Sequence, residues 1–225
     1  TVPAGLKIKA VIVARENGRL AGLDIAKRVF KTFDKTIVFK PLAKDGHKIR
    51  KNQVLARISG KARSILSCER VALNFLQRLS AIATLTNKFV KKVNSSRIKI
   101  LDTRKTTPNL RVMEKYAVRM GGGHNHRFGL FDGVLIKDNH IKIAGNVTNA
   151  IKKIRRMHPK IKIEVEAQTI KELKDVLGAD FDIVMLDNMN LWDLRKAIKL
   201  INKKYEIEVS GGIKLNNIRR VSKLK

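Results

Sequence analysis

From about residue 98 to residue 209 the chain repeats one pattern: a short apolar run, a polar residue, then a stretch with helical periodicity. The strand-like runs occupy 98–102, 133–137, 161–166, 181–186 and 206–209, and the helical stretches about 109–120, 145–157, 169–177 and 191–202. Strands separated by helices pair in parallel, because a parallel connection needs a crossover of about a dozen residues. The pattern therefore predicts a parallel α/β architecture of five strands. The runs end in Asp102, Lys137, Glu166, Asp187 and Ser210. Polar residues at the carboxyl ends of successive strands are where an α/β barrel places its site.

Ahead of this lies a long apolar stripe. Val71, Leu73, Phe75, Leu76, Leu79, Ile82, Ala83, Leu85, Phe89, Val90 and Val93 return at three- and four-residue intervals, which predicts a helix over about 68–93 ended by Asn94, Ser95 and Ser96. Residues 1–67 read as a separate small mixed α/β domain. Ile8, Ala10 and Ile12 alternate as in a strand, Asn17-Gly18 marks a turn after which Leu20 resumes the pattern, and residues 21–30 look helical. Two or three further short strands are broken by Asp45-Gly46 and ended by Gly60. The division is 1–67 for this domain and 68–225 for the barrel domain.

With 225 residues the chain can bury a sizeable core. No apolar run approaches the ~20 residues of a membrane span. The single cysteine, Cys68, excludes an internal disulfide and a cysteine-cluster zinc site, and a reduced, cytoplasmic setting is the simplest expectation. Charge is extreme: 49 basic against 19 acidic residues, a net +30. Such a balance raises nucleic-acid binding as a function class. Its distribution argues against that as the main role, since no basic run exceeds two residues and aromatics are only 5% of the chain, too few for base stacking. Nonspecific polyanion binding is expected as a side effect of charge. The densest basic cluster, Lys152, Lys153, Arg155 and Arg156, falls on an amphipathic helix with Ile151 and Ile154.

Chemistry concentrates in residues 101–140, where Arg104, Lys105, Arg119, His124, His126, Arg127, Lys137 and His140 surround Gly121, Gly122 and Gly123. Cations that follow apolar runs suit a small pocket for a multiply anionic substrate. The guanidinium fork of Arg104 matches a carboxylate and the Lys105 ammonium offers a point charge for phosphate; a salt bridge of this pair to Asp102 is the plain structural alternative. The glycines either stop a helix or let backbone approach a ligand. Lys137 closes the apolar run Val134-Leu135-Ile136 and is expected to be at least half buried, with Asp138 or Glu166 as its partner. Glu166 and Asp187 facing one cavity read as Mg²⁺ ligands, direct or through water; Glu164, on the same strand face, ranks second to Glu166. Ser210, Gly211 and Gly212 form a strand–helix junction suited to phosphate. No HExxH spacing is present.

DTRKTTP (102–108), GGGHNHR (121–127) and LIKDNH (135–140), in that order, resemble the quinolinate phosphoribosyltransferase family. GLKIKAVIVARENGRLAGLDIA, ERVALNFLQRLSAIAT, IEVEAQT, VMLDNM and EVSGGI extend the resemblance over nearly the whole chain. It implies an enzyme that moves phosphoribosyl from phosphoribosyl pyrophosphate to quinolinate with decarboxylation, giving nicotinate mononucleotide, pyrophosphate and CO2 on the route to NAD. It implies a small α/β domain followed by an unusual, smaller α/β barrel. Arg70, Arg104, His126, Arg127 and Lys137 would bind quinolinate; Lys105, Glu166, Asp187, Ser210, Gly211 and Gly212 the phosphoribosyl donor; and Lys137, Glu166 and Asp187 would be catalytic, with Mg²⁺ at the two carboxylates. A homodimer or higher homo-oligomer would let Arg70 complete the neighbouring site.

Departures from the family pattern set the alternatives. Ser80-Ala81 stands where the family has Ser-Gly. The family's first segment would precede Thr1, and its last barrel strand, glycine-rich phosphate loop and closing segment would follow Lys225, so the barrel is expected to be incomplete. The competing readings are a sister phosphoribosyltransferase acting on nicotinate without decarboxylation, and an inactive fragment or basic polyanion-binding protein.

Overall fold

The computed structural model describes residues 2–224, and the chain divides into two compact units, Thr1–His126 and Arg127–Lys225. The first contains, in order, β1 (Lys7–Val13), β2 (Gly18–Arg19), α1 (Leu23–Phe33), β3 (Val38–Pro41), β4 (Lys48–Ile49), β5 (Val54–Lys61), α2 (Ala62–Val93) and α3 (Arg111–Met120). Antiparallel β1, β5 and β3 form one sheet with β5 central, and β2 pairs with β4. Asn17 and Gly18 thus do not close a hairpin between neighbouring strands. Each flanking strand takes a partner distant in sequence, β1 pairing with β5 and β2 with β4.

That core holds Leu20, Phe30, Ile37, Phe39, Leu55, Ile58, Ile65 and Leu76. Each such side chain contributes ~1.5–3 kcal/mol by leaving water. The α2 stripe Ile65, Cys68, Ala72, Leu76, Leu79 and Ala83 is buried at the expected spacing. The helix starts at Ala62, earlier than its apolar pattern suggests, because Ala62 and Ile65 extend the same stripe between exposed polar residues. It ends at Asn94, whose left-handed backbone (φ 48°) stops it. Compactness divides the chain after His126, since α2 and α3 pack in the first unit: Leu79 and Ala83 of α2 share a cluster with Ala21 and Ala117 of α3. Asp45 ties this unit together. Its carboxylate accepts the N–H groups of Gly22 (2.7 Å) and Leu23 (3.0 Å) at the start of α1 and the hydroxyl of Tyr116 from α3 (2.8 Å). Burial and the adjacent Asp45 carboxylate push the Tyr116 phenol well above its ordinary pKa.

The second unit contains β6 (Val134–Ile136), α4 (Asp138–Ala144), α5 (Val147–Met157), β7 (Ile163–Ala167), α6 (Ile170–Val176), β8 (Ile183–Asp187), α7 (Leu191–Ile201), β9 (Glu206–Ser210) and α8 (Ile218–Val221). Its sheet is parallel, in the order β6-β7-β8-β9. Among the described residues it has four strands, not five, and does not close into a barrel. The expected strand at 98–102 makes only an isolated bridge from Leu101 to His124, in the first unit.

Strand register explains which side chains share a face. Leu135 lies opposite Glu164, Glu166 opposite Met185, Met185 opposite Glu208 and Asp187 opposite Ser210. Directly opposed residues point the same way, as do residues two apart on a strand. One face therefore carries Glu164, Glu166, Asp187, Glu208 and Ser210 beside Leu135, Ile183 and Met185, with Lys137 just past the end of β6. The other carries Ile136, Ile163, Val165, Ala167, Val184 and Leu186, which pack with Leu173, Leu194 and Ile201 from the helices. A parallel sheet is ordinarily apolar on both faces; the polar face here is the departure that marks a site. Among the described residues no helix is long and apolar enough to cross a membrane.

Candidate active site

In the first unit, the segments around Arg104 and His126 are held by one helix. Asp102 takes its cation from Lys115 of α3, so the alternative that paired it with Arg104 and Lys105 is corrected. The Asp102 carboxylate also accepts from the Asn125 side-chain amide (2.5 Å) and the His126 backbone N–H (2.9 Å). The Lys115 ammonium donates as well to the His126 carbonyl (2.9 Å). Arg119, one turn on, donates to Asn125 (2.8 Å). Both Lys115 and the Asp102 side chain are withdrawn from water.

The loop after Arg104 is gripped in the same way. Arg111 of α3 donates to the Thr106 hydroxyl (3.0 Å) and the Arg104 carbonyl (3.3 Å). Buried Glu114 accepts from Arg78 of α2 (2.8 Å) and the Thr107 N–H (3.2 Å). Burial alone would raise the Glu114 pKa; the hydrogen bonds from Arg78 and Thr107 outweigh it and hold the carboxyl below its ordinary value. With its backbone so fixed, Arg104 presents a buried Nε that has no hydrogen-bond partner among the described residues. A buried donor left unpaired costs ~1–3 kcal/mol, a debt that a bound carboxylate would cancel. Lys105 and Arg70 are exposed, the latter on α2.

Gly121 and Gly123 have a packing reason. A Cβ on Gly121 would come within 2.5 Å of the Ala83 carbonyl, and one on Gly123 within 2.7 Å of Thr86 and 2.8 Å of Val118. The close approach is to α2 and α3. Gly122 takes φ 88°, which favours glycine. These glycines seat the end of α3 and so set where residues 124–126 emerge.

In the second unit, Lys137 caps α4 and its ammonium reaches the Glu166 carboxylate on β7. The lysine side chain is 47% exposed and that of Glu166 6%, so one end of the pair is dry and the other open. The partner is Glu166; Asp138 instead lies 3.4 Å from Lys142. Gln168 donates to the other Glu166 oxygen (3.2 Å). Asp187 closes β8 and accepts from Asn188 (2.8 Å). His140 is committed to the fold, since its Nδ1 accepts the Lys137 backbone N–H (3.0 Å). Arg127 donates to the Gly133 carbonyl (3.0 Å).

Ser210 closes β9 beside Asp187, and its carbonyl accepts the Asn188 N–H (3.0 Å). Gly211 (φ 83°) and Gly212 (φ 64°) follow, and a Cβ on Gly211 would overlap the Asn188 side chain. Helix α8 begins only at Ile218, so any anion here would meet loop backbone and not a helix N-terminus, contrary to the junction read from sequence. The unit thus gathers Lys137, Glu166, Asp187 and Ser210 at the carboxyl ends of four parallel strands.

Residues that sequence reasoning passed over are those that position others: Arg78, Glu114, Lys115, Asn125 and Gln168. The available signal was Glu114-Lys115 on a helix whose other buried residue is Ala117.

The chain matches the family profile "Quinolinate phosphoribosyl transferase, N-terminal domain" over residues 1–80 and its C-terminal counterpart over residues 82–225. A probable carboxylating nicotinate-nucleotide pyrophosphorylase of Bacillus subtilis is 45% identical over 211 residues, covering 93% of this chain and 73% of that protein. The crystal structure of NadC from Streptococcus pyogenes superposes with a TM-score of 0.93 at 45% identity, covering 99% of this chain and 79% of its own. The nicotinate-nucleotide pyrophosphorylase structure from Francisella tularensis gives 0.93 at 42% identity, over 97% and 78%. Human nicotinic acid phosphoribosyltransferase, at 11% identity and a TM-score of 0.69, shares the fold alone. Matched in both domains and by relatives along nearly its full length, the chain belongs to the quinolinate phosphoribosyltransferase family.

Proposed function

We propose that this chain transfers phosphoribosyl from phosphoribosyl pyrophosphate to quinolinate with loss of CO2, as a carboxylating nicotinate-nucleotide pyrophosphorylase in NAD biosynthesis. The observation that carries the reading is the polar face of the parallel sheet, where Lys137, Glu166, Asp187 and Ser210 stand together at the strand ends.

The residues divide by charge. Arg104, His126 and Arg127, with Arg70 from a neighbouring subunit, bind and orient the two carboxylates of quinolinate, and the unpartnered Nε of Arg104 supports that role. Lys105, Ser210, Gly211 and Gly212 receive the phosphates of the donor. Glu166 and Asp187 hold the ribose and stabilise positive charge at the sugar carbon as pyrophosphate departs. The ring nitrogen then bonds that carbon and becomes a pyridinium. The adjacent carboxyl leaves as CO2 with its electron pair drawn into the ring, and the ring carbon takes a proton. In this reading the Lys137 ammonium, paired with Glu166, gives that proton. Positioning and electrostatics carry most of the acceleration, and no covalent nucleophile is needed: Cys68 is buried in the first core, and burial raises its thiol pKa.

Glu166 and Asp187 fit Mg²⁺ in kind, being hard oxygen donors on one face of adjacent strands. Because Lys137 occupies one Glu166 oxygen, a metal would be held there through water or by sharing that carboxylate. Bound Mg²⁺ would neutralise pyrophosphate as it leaves. A homodimer or larger homo-oligomer completes the site, and a cytoplasmic setting fits the single reduced thiol. Polyanion binding follows from the net charge of +30 as a salt-sensitive side effect, though Arg155 of the densest basic cluster is engaged with Asp182 (3.0 Å) and Asp180 (3.2 Å).

The test is release of labelled CO2 from carboxyl-labelled quinolinate. Release that requires both phosphoribosyl pyrophosphate and Mg²⁺ supports the reading. Its absence in a protein of native fold contradicts it.

A further inference from the structure

We infer that the buried Lys115–Asp102 pair is a positioning device that sets how His126 is presented to substrate; the inference rests on the reading of His126 as a quinolinate ligand. The main chain of His126 is held at both ends by the two members of one ion pair: its N–H by Asp102 (2.9 Å) and its carbonyl by Lys115 (2.9 Å). Asp102 also receives the Asn125 side chain (2.5 Å) and lies two residues before Arg104. Its own backbone N–H donates to the His124 carbonyl (3.2 Å), and the His124 N–H donates to the Ile100 carbonyl (2.8 Å). The pair therefore fixes the distance between the segment that carries Arg104 and the segment that carries His126, and a single helix, α3, supplies the lysine.

Stability is a poor reason for such a pair. Lys115 is only 2% exposed, and two charges taken from water are often no better for stability than apolar side chains of the same volume. An apolar pair could fill the space but could not bind a backbone N–H and a carbonyl of the same residue. Geometry is what the charges add. Lys115 and Asp102 touch backbone, so their role is positioning and not catalysis.

The experiment compares the parent chain with Lys115→Met, Asp102→Asn and the double variant, reading the thermal midpoint, kcat and the KM of each substrate. Lys115→Met alone leaves a buried carboxylate without its cation and should lower the midpoint most. The double variant removes both charges and should recover most of that loss. Its KM for quinolinate should nonetheless stay raised about tenfold, as expected when a ligand group is misplaced, with the KM for phosphoribosyl pyrophosphate within about twofold. In a His126→Ala background the same substitutions should change the quinolinate KM little, because the effect runs through His126. A quinolinate KM that recovers together with the midpoint, or an effect that persists without His126, would overturn the inference while leaving the proposed function standing. A parent chain of native fold that does not use quinolinate would overturn both. Should Lys115→Met fail to fold, Asp102→Asn gives a second test of the quinolinate KM: it keeps an acceptor for the His126 N–H, removes the charge that holds Lys115, and replaces the acceptor of the Asn125 amide with a donor.

Discussion

Lys137 and Glu166 form an ion pair whose ends differ in environment: the carboxylate is buried on the polar face of the parallel sheet and the ammonium is about half exposed just past the end of β6. An ammonium so placed can meet a substrate without leaving its partner. Lys137→Met should therefore separate activity from stability. Turnover of quinolinate should fall by at least about a hundredfold, in line with the loss of a positioned acid. The fold should lose only ~1–2 kcal/mol, between the values for exposed and buried pairs. Steady-state kinetics beside chemical denaturation checks this, and equal losses in the two would count against it.

Asp187 pairs in register with Ser210 and shares a face with Glu166. Asp187→Asn should raise the KM for phosphoribosyl pyrophosphate and the Mg²⁺ concentration needed for half activity, each by about tenfold or more, while quinolinate binding measured by calorimetry changes little. An unchanged Mg²⁺ requirement would remove Asp187 from the metal site.

The glycines after α3 answer to packing. Gly123→Ala should destabilise the first unit by ~1–3 kcal/mol through overpacking, since its Cβ would meet Thr86 Cγ2 at 2.7 Å. Thr86→Ser removes that methyl and should recover part of the loss in a thermal melt. No recovery would mean that Val118, at 2.8 Å, and the Ile100 carbonyl, at 3.2 Å, set the cost.

Glu114 links stability to pH. Its pKa in the folded chain lies below the ordinary 4.5, burial opposing and the bonds from Arg78 and Thr107 prevailing. A depressed carboxyl contributes stability that is complete above the unfolded pKa and is lost as pH falls through the folded one. Glu114→Gln should thus cost stability at pH 7 and shrink the decline seen below about pH 4.5. Denaturant unfolding of both proteins from pH 7 to pH 3 checks it, and parallel curves would contradict it.

The alternating elements of residues 133–209 were legible because each strand and helix writes its own period, and four parallel strands stand close to where the periodicity puts them. Residues 98–102 alternate as a strand does, yet their backbone pairs with residue 124 in the first unit and never enters the parallel sheet. Helix α4 was hard to read because it has seven residues and meets the core only through the partly buried Ile141 and Ala144, too short a stripe to show a period. At the site, Lys137, Glu166 and Asp187 could be read from polar residues ending apolar runs. Lys115 and Glu114 could not: charged residues on a helix resemble solvated surface until partners distant in sequence, Asp102 and Arg78, are seen to meet them.

The central claim is most directly tested by offering quinolinate and nicotinate separately to this chain, with phosphoribosyl pyrophosphate and Mg²⁺, and measuring nicotinate mononucleotide. The account predicts product from quinolinate, little from nicotinate, and loss of product in Lys137→Ala. Product from nicotinate alone, or equal product from parent and variant, would contradict it.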